Sequence, residues 1–355
     1  MILTVTPNPA EDLTWHVDAL RPGETHRVPA GVSRAGGKGL NVARVLADEG
    51  YDVLALTTAG GGAGERLVAD LVQSGVAHRI VPVAGETRRS LAFVDEATGE
   101  TSIFNELGAP LTAAESTALL AEAARLGRTA TVVAVSGSLP PGLEPGDLAG
   151  LVAELTAAGA SVIVDTSGPA LVAAARAGAT VLKPNRDELA EVTGLDDPVA
   201  GARTLIEAGA RLVVVSLGSE GLVVVAAAEA GGIRARLAEP LRGNATGAGD
   251  AAVAAIAAAL HAVPTLATDP GERDARVALA RRATAWSASA VLMPLAGALS
   301  PEHASIESRV VVEPWGDSGP NPDPGTGSGS GSGHGSGSGS GHGASTTATD
   351  PKATA

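Results

Sequence analysis

The run Asn244-Ala245-Thr246-Gly247-Ala248-Gly249-Asp250 leads directly into a stretch of small and apolar residues, 251–260. Glycines at such a position let the backbone turn and approach a bound group closely. The start of a helix adds unpaired N–H donors and the positive end of the helix dipole, which together favour an anion. The run therefore predicts an anion-binding turn that opens a helix, with a carboxylate at the junction.

A carboxylate beside an anion-binding turn suits one kind of chemistry. It can take a proton from a hydroxyl group while backbone amides hold the phosphoryl group that is being transferred. Asp250 would then be the general base, and the amides of Gly247, Ala248 and Gly249 would form the anion hole. The competing interpretation makes Asp250 a structural N-cap of the helix. The arrangement is that of a kinase active site, so we expect phosphoryl transfer.

Short β-branched apolar runs recur along the chain and alternate with Ala- and Leu-rich stretches of helical spacing. The strand-like runs are Ile2–Thr6, Ser161–Asp165 and residues 53–57, 131–136, 180–183, 211–216 and 221–226. Continuous apolar strands that alternate with helices indicate a mostly parallel sheet covered on both faces, a three-layer α/β/α sandwich. Ligands of such sheets bind beyond the carboxyl ends of the strands, where we expect the site.

Residues 12–34 and 86–106 break this alternation. Residues 90–94 and Thr101–Asn105 alternate apolar and polar side chains, as half-exposed antiparallel strands do. Thr98-Gly99 lies between them, where a hairpin turn is needed. We therefore expect a small β-strand lid, formed from both stretches, inserted into one α/β domain that spans residues 1–312.

The end of the chain differs in composition from everything before it. From residue 313 the sequence turns to Pro, Gly, Ser and Asp, and residues 325–343 are nearly pure Gly and Ser. A segment of this composition has almost nothing apolar to bury. The sequence therefore predicts a disordered Gly/Ser-rich tail over residues 313–355.

Charge and composition exclude several functional classes. The formal net charge of −14 argues against nucleic acid or an anionic membrane as a partner. The chain has no cysteine, which excludes disulfides and thiolate metal sites. Met1 leads straight into a strand-like run, with no basic stretch and no long apolar segment, so we expect no secretory signal and a cytoplasmic location.

Several predicted strands end in polar or glycine-rich signatures, although each one alone is more simply a turn or a solvated edge. The signatures are residues 6–12 (TPNPAED), 36–44 (GGKGLNVAR), 87–89 (TRR), 136–142 (SGSLPPG), 183–188 (KPNRDE) and 216–221 (SLGSEG). Lys38 is followed by Gly39 rather than by Ser or Thr, which excludes a Walker P-loop. Lysine is scarce, with only three in the chain, and Lys38 and Lys183 both lie in these signatures.

Taken together and in this order, the signatures resemble those of the ribokinase-like sugar kinases, the phosphofructokinase B family. The resemblance runs from residue 1 to about residue 313, and the glycine signatures at residues 36–44 and 247–250 correspond to the family's diagnostic pair. TPNPAxD, GGKGxNVAR, SGSLPPG and FNExGxP (residues 104–110) resemble the branch that acts on phosphorylated hexoses. Within that branch, the GGKG lysine and NPAxD are most similar to 1-phosphofructokinase and tagatose-6-phosphate kinase.

The resemblance also implies roles for the matching residues on the acceptor side. Sugar contacts are implied for Asp12, Gly37, Asn41 and Ser138, and contacts with the phosphate of the sugar for Lys38 and Arg88. A lysine would act there as a point charge and an arginine as a fork. Arg89 follows Arg88 on a strand and is expected to point away.

On the nucleotide side, the resemblance implies ATP contacts for Lys183, Asn185, Ser216, Gly218 and Gly221. Glu188 would organise Mg²⁺ through water, because magnesium retains part of its hydration shell. Asp165, at the end of a strand, is expected to be structural. A monovalent cation such as K⁺ is a further implied cofactor, and a homodimer through the lid is the implied assembly. The chain departs from the family at Ala245, where a threonine is usual; the lost hydroxyl group would weaken nucleotide or monovalent-ion contacts.

The implied activity is ATP-dependent phosphorylation of a phosphorylated ketohexose, with D-fructose 1-phosphate giving the 1,6-bisphosphate. Tagatose-6-phosphate kinase or a 6-phosphofructokinase of the same fold is the first alternative. A kinase for nucleosides or unphosphorylated sugars is disfavoured by Lys38 and Arg88. A non-catalytic sugar-phosphate sensor is the alternative from a different class, and the intact Asp250 and Glu188 argue against it.

Overall fold

The computed structural model describes residues 1–316. The strands are β1 (Ile2–Thr6), β2 (Ala10–Val17), β3 (Val32–Gly36), β4 (Val53–Ala59), β5 (His78–Pro82), β6 (Arg88–Asp95), β7 (Thr101–Asn105), β8 (Val132–Ser136), β9 (Ser161–Asp165), β10 (Val181–Leu182), β11 (Leu212–Ser216), β12 (Leu222–Ala226), β13 (Gly232–Leu237) and β14 (Val310–Trp315). The α-helices are α1 (Lys38–Asp48), α2 (Gly61–Gln73), α3 (Ala113–Gly127), α4 (Pro145–Ala157), α5 (Pro169–Arg176), α6 (Arg186–Thr193), α7 (Pro198–Ala208), α8 (Ala248–Ala262), α9 (Arg273–Val291) and α10 (His303–Ser308).

Ten strands form one large sheet in the order β14-β13-β12-β11-β10-β9-β8-β1-β4-β5. The seven strands from β11 to β5 are parallel to their neighbours, and β12, β13 and β14 continue the sheet in antiparallel pairing. The parallel strands bring their carboxyl ends to one edge of the sheet. The predicted mostly parallel sheet is confirmed.

Helices cover both faces of this sheet because its strands are apolar on both sides. Ile2, Val132 and Ile163 pack with residues of α1, α8 and α9 in one buried cluster. Their neighbours in sequence, Leu3, Val133 and Val162, pack in a second cluster with residues of α3, α4, α5 and α7 on the opposite face. The alternation follows from the period of two along a strand. The predicted three-layer α/β/α sandwich is confirmed.

A second sheet of four strands, in the order β3-β2-β6-β7, forms the lid. It is built from the two stretches that the sequence assigns to a lid, and β6 and β7 form the expected antiparallel hairpin. The central pair differs from expectation, since β2 and β6 run parallel, joined by a long connection through the main sheet. Gly99 in the hairpin turn has a φ of 73°, a conformation that glycine adopts without strain.

The last strand, β14, extends past residue 312, where the sequence analysis ends the domain. Glu313, Pro314 and Trp315 pair with β13, and the guanidinium of Arg234 lies 4.5 Å from the centroid of the Trp315 ring. The change in composition at residue 313 predicts a tail, but the structure continues the edge strand β14 to Trp315. The remainder of the predicted disordered tail, residues 317–355, lies outside the described residues. Within residues 1–316, no helix combines the length and the hydropathy needed to cross a membrane.

Candidate active site

A cavity of about 890 Å³ opens between the lid and the carboxyl ends of the parallel strands. Its lining comes from the segments that follow β1, β8 and β10, from the last residue of β9, and from the first turns of α1 and α8. The sequence-predicted residues that line it are Asp12, Gly37, Lys38, Asn41, Arg88, Ser138, Lys183, Asn185, Glu188, Ser216, Gly247, Gly249 and Asp250. Thirteen residues from distant parts of the chain therefore meet in one place.

The glycine-rich turn before α8 has the geometry that its sequence indicates. The backbone N–H of Thr246 donates to Asn244 Oδ1 at 3.0 Å, and Gly247 follows with a φ of 85° as the N-cap residue. A Cβ atom at Gly247 would lie 2.7 Å from the side chain of Ala296, so only glycine fits. Gly247 and Gly249 line the cavity, whereas the N–H of Ala248 donates to the carbonyl of Ala245 at 3.2 Å.

Asp250 is a buried carboxylate in the first turn of α8, with 6% of its surface exposed. It accepts a hydrogen bond from Asn41 Nδ2 at 2.8 Å, and the helix N-cap is Gly247, so Asp250 is not the N-cap residue. Burial raises the pKa of Asp250 to about 6, helped by the negative charge of Asp165 and opposed by the Asn41 hydrogen bond, Lys38 and Lys183. A carboxyl group with this pKa is a competent base near neutral pH.

Asp165 lies at the centre of the charged residues, a placement that the sequence analysis does not anticipate. Its Oδ1 atom lies 3.2 Å from Lys38 Nζ and 3.4 Å from Lys183 Nζ, and its side chain is 1% exposed. Its Oδ2 atom has no hydrogen-bond partner among the described residues. The signal in the sequence is its position at the end of a central strand, shared with Ser136 on β8, with which it pairs in register.

Lys38 and Arg88 have different electrostatic neighbours. Burial opposes the charge of Lys38, but the carboxylates of Asp165, Glu188 and Asp250 raise the pKa of Lys38 overall. Burial lowers the pKa of Arg88, against the opposing effect of Asp12 and Glu106. Lys38 therefore lies near the base and the nucleotide-side residues, and Arg88 lies at the lid.

On the lid side, Arg88 is held by two backbone carbonyls. Its Nε donates to the carbonyl of Asn8 and its Nη1 to that of Glu106, both at 3.2 Å. Asn8 also donates to Ser138 Oγ at 3.1 Å, which links the lid arginine to the SGSLPPG turn. Asn8 is a further lining residue, and its only signal in the sequence is its place in the TPNPAED signature.

Asp12 faces the cavity from β2. Burial raises the pKa of Asp12 to about 7, with Arg88 opposing and Asp250 adding to the shift. A Cβ atom at Gly36 would lie 2.0 Å from the Asp12 carboxylate, so glycine at that position makes room for it. Arg89 is oriented as expected, away from the cavity, with Nε 3.7 Å from Glu11 Oε2.

A second cavity of about 520 Å³ adjoins the first and shares Asn185, Ser216 and Gly249 with it. The predicted nucleotide contacts Gly218 and Gly221 line it, together with Ala248 and mainly apolar residues of β13, α8 and α9. Gly221 has a φ of 91°, and a Cβ atom there would lie 2.0 Å from the carbonyl of Ala235. An apolar cavity beside a charged one suits a nucleoside next to its phosphates.

Glu188 and Asn185 form a capping box at the start of α6. Asn185 Oδ1 accepts from the N–H of Glu188 at 2.8 Å, and Glu188 Oε2 accepts from the N–H of Asn185 at 2.9 Å. Among residues 1–316, no group of three or more His, Cys, Asp or Glu side chains could hold a metal ion by itself. The half-buried carboxylate of Glu188 at the cavity suits magnesium, which binds proteins through few carboxylates and keeps waters or phosphates as its other ligands.

The sequence profile of the pfkB family of carbohydrate kinases matches residues 10–302. A 1-phosphofructokinase of Xanthomonas campestris pv. campestris is 42% identical over 267 residues, which are 73% of this chain and 83% of that protein. An ATP-dependent 6-phosphofructokinase isozyme 2 of Mycobacterium tuberculosis is 38% identical over 266 residues, 73% of this chain and 77% of that protein.

Two solved structures, a phosphofructokinase and a ribokinase, are also similar to this chain. Phosphofructokinase-2 from Escherichia coli in complex with fructose-6-phosphate has a TM-score of 0.75 at 31% identity, and covers 86% of this chain and 98% of its own. A ribokinase of Arabidopsis thaliana has a TM-score of 0.62 at 21% identity, over 86% of this chain and 97% of its own, and shows the fold alone.

The chain belongs to the pfkB family of carbohydrate kinases. It is therefore a phosphotransferase that acts on a sugar hydroxyl group. The ribokinase-like fold and the kinase activity that the motifs imply are confirmed. The roles of individual residues stay predictions; the structure shows which of these residues line the cavity.

Proposed function

We propose that this enzyme transfers the terminal phosphoryl group of ATP to D-fructose 1-phosphate and produces fructose 1,6-bisphosphate. The observation that carries the proposal is that Asp250 lines one cavity together with two cationic residues, Arg88 of the lid and Lys183 of the nucleotide side. The relative with 42% identity is a 1-phosphofructokinase, which supports the same acceptor. A phosphorylated ketohexose needs a cation for its phosphate and a base for its free hydroxyl group, and both face this cavity.

In this mechanism, Asp250 accepts the proton of the sugar hydroxyl group as that oxygen attacks the terminal phosphorus of ATP. The amides of Gly247 and Gly249 and the ammonium of Lys38 stabilise the charge on the transferring group, since donors fixed in place need no reorganisation. Asn41 holds the carboxylate through its hydrogen bond. Asp12, Gly37 and Ser138 bind the sugar hydroxyl groups, and Arg88 binds the phosphate already on the sugar.

On the donor side, the phosphates of ATP lie along Lys183 and Asn185, and the nucleoside occupies the second cavity beside Ser216, Gly218 and Gly221. Mg²⁺, held at Glu188 through water, neutralises phosphate charge when it is bound.

K⁺ is proposed as an activator, supported by the Escherichia coli phosphofructokinase-2 solved in complex with potassium at 30% identity and a TM-score of 0.77. Exchange of K⁺ for tetramethylammonium at constant ionic strength should lower kcat, and an unchanged kcat would remove K⁺ from the account.

Phosphorylation of fructose 6-phosphate is the second candidate function. It is favoured by the 6-phosphofructokinase relative at 38% identity and by the Escherichia coli complex with fructose-6-phosphate. Tagatose 6-phosphate is a third acceptor of the same chemistry. An ADP-release assay over these three phosphates and the free sugars tests the proposal: the highest kcat/KM should belong to fructose 1-phosphate, and a higher value for another phosphohexose would reassign the acceptor.

The proposed assembly is a homodimer in which the outer faces of two lids pack together. Trp15 and Phe93 stack there at 5.5 Å between ring centroids, and Phe93 meets Phe104 edge to face at 5.9 Å. Phe104 is 60% exposed, which is unusual for a large aromatic residue unless another surface covers it. Sedimentation velocity should show a dimer for the parent and a monomer for Phe104→Asp, whereas a monomeric parent would refute this assembly.

The proposed location is the cytoplasm, where ATP is the available donor.

A further inference from the structure

Glu11 is a buried carboxylate of the lid, and the proposed mechanism does not use it. Its side chain is 2% exposed, on β2, one residue before Asp12. Arg66 of α2 donates to it twice, from Nε at 2.6 Å and from Nη2 at 2.7 Å. Ser33 Oγ of β3 donates to it at 2.9 Å, and Arg89 Nε of β6 lies 3.7 Å away. One carboxylate therefore connects three lid strands to a helix of the main domain.

These contacts lie on the face of the lid opposite to the cavity. Glu11 is in register with Arg89 and Asp12 with Ser90, so Glu11 and Arg89 share the outer face. Because successive side chains of a strand alternate, Asp12, Arg88 and Ser90 share the inner face and line the cavity. Glu11 and Arg89, which pair on the outer face, are thus the direct sequence neighbours of Asp12 and Arg88, the residues proposed to bind the acceptor.

A second contact connects the other lid segment to the same helix. Glu86, just before β6, accepts a hydrogen bond through Oε1 from the N–H of Ala63 in the first turn of α2 at 2.7 Å. A Cβ atom at Gly61 would lie 1.9 Å from Glu86 Oε2, so glycine there allows the carboxylate to approach the helix. Helix α2 therefore supports both strands that carry acceptor-side residues.

The Glu11–Arg66 contact has the geometry of a strong one. Two parallel N–H donors on one carboxylate give directional, charge-assisted hydrogen bonds. The hydrogen bond from Arg66 is the main cause that lowers the pKa of Glu11, and burial opposes it. Loss of the half-exposed Arg66 would leave the buried Glu11 carboxylate without its two strongest donors, and we expect the surrounding strands to move in response.

We propose that Glu11 is a positioning residue that holds Asp12 and Arg88 over the acceptor cavity by fixing β2 and β6 to α2 through Arg66. It touches neither substrate. The proposal rests on the proposed function in one respect only, the assignment of acceptor binding to the lid face. Its consequence is that a change outside the cavity affects the acceptor and spares ATP.

The test compares Glu11→Gln and Arg66→Gln with the parent enzyme in steady-state kinetics. Both variants should raise the KM for the acceptor about 10-fold, since small displacements of positioning groups have large kinetic effects. The KM for ATP should stay within about twofold of the parent value, because the nucleotide residues lie on other elements. The double variant should resemble either single variant, since both remove the same contact.

Arg79→Gln is the matched control, since it removes an exposed arginine that pairs with Glu122 away from the lid. It should leave both KM values unchanged. A lower melting temperature with an unchanged acceptor KM would make Glu11 merely structural, and equal increases in both KM values would indicate general damage; either result overturns the proposal. If Glu11→Gln does not fold, Arg66→Gln alone decides, because its side chain is half-exposed.

Failure of the proposed function is a separate outcome. If the parent prefers another acceptor, the same kinetics are measured with that acceptor, and the contrast between acceptor KM and ATP KM still tests Glu11. An enzyme that uses fructose 1-phosphate but shows no such contrast in either variant retains the proposed function and loses the positioning role.

Discussion

Asp250 and Asp165 are buried carboxylates that interact with the same two lysines, and this arrangement sets how tightly Asp250 holds a proton. Two negative and two positive side chains are grouped here: Asp165, Asp250 and Lys183 are buried, whereas the side chain of Lys38 is 39% exposed. Burial is the main cause that raises the pKa of Asp250, repulsion by the Asp165 carboxylate adds to it, and the Asn41 hydrogen bond and the two lysines oppose it. The cluster therefore provides a base whose pKa of about 6 lies near neutral pH.

Asp250→Asn tests the base. The amide cannot accept the hydroxyl proton, so kcat should fall about 10²- to 10⁴-fold, the usual range for loss of general-base catalysis. Binding of both substrates, measured by calorimetry, should be largely retained because the side chain keeps its shape. A kcat within about threefold of the parent would place the base elsewhere.

The pH dependence of kcat tests the carboxylate pair. Asp250 must be ionised to act as a base, so kcat should be full well above pH 6 and fall as the pH drops through about 6. Asp165→Asn removes the charge that repels Asp250 and leaves Lys38 and Lys183 in place, so the pKa of Asp250 should fall. The acid limb should then move by about one unit to lower pH.

The second ionisation of a phosphate ester also lies near pH 6. Parent and Asp165→Asn must therefore be compared on one saturating acceptor, because the titration of that phosphate is common to both profiles. An acid limb that stays in place, or that moves to higher pH, would contradict the electrostatic role of Asp165.

Arg88→Ala and Lys38→Ala separate the two cationic positions. A charged hydrogen bond to phosphate contributes about 1.5–3 kcal/mol, so Arg88→Ala should raise the KM for the sugar phosphate about 10- to 100-fold and spare the KM for ATP. Lys38→Ala should chiefly lower kcat, because the Lys38 ammonium, near Asp165 and Asp250, is proposed to stabilise the transferring phosphoryl group. An effect of Arg88→Ala chiefly on the KM for ATP would place the arginine on the nucleotide side.

Single residues were predictable where the signal is local. The 247–250 turn identifies itself because glycine conformations, a helix start and a carboxylate adjoin in sequence. Nothing next to Asp165 in the sequence marks it as functional, and its lysine neighbours come from 127 and 18 residues away in the chain. Glu11 has no local signal either, since its partners Ser33, Arg66 and Arg89 come together only in the folded lid.

At the scale of elements, the strands buried on both faces were predictable, and three strands at or beside the ends of the large sheet were not. β1 and β9 are continuous apolar runs, with every residue buried. β5, β13 and β14 carry His, Arg or Glu because part of their surface meets solvent, and a search for apolar runs does not find them. The parallel pairing of β2 with β6 was also missed, since the hairpin signal concerns only β6 and β7.

Truncation tests the status of β14. A chain that ends at residue 316 keeps the whole strand, and its melting temperature and KM values should equal those of the full chain. A chain that ends at residue 312 loses the Trp315–Arg234 contact and the Glu313–Arg236 ion pair of 3.2 Å, so its melting temperature should be lower by several degrees. Equal melting temperatures for the two truncated chains would show that the end of β14 contributes no stability.

At the scale of the whole molecule, the residues of the proposed reaction meet at the carboxyl ends of the parallel strands. Asp165 and Lys183 lie at the ends of these strands, Lys38 and Asp250 lie in the first turns of helices, and Asp12 and Arg88 lie on the lid. The fold class could be predicted because the strand and helix alternation is a pattern of the whole chain. The sequence does not show which residues line which cavity. That assignment required the three-dimensional structure, in which Asn185, Ser216 and Gly249 line both cavities.

The most direct test of the central claim is ³¹P NMR of the product formed from fructose 1-phosphate and ATP by the full-length enzyme. We expect ADP in equal amount to a second phosphate ester at carbon 6, and only slow turnover of free fructose under the same conditions. Rapid phosphorylation of free sugars or nucleosides, with no second ester formed on any phosphohexose, would contradict the account and leave only the membership of the carbohydrate kinase family.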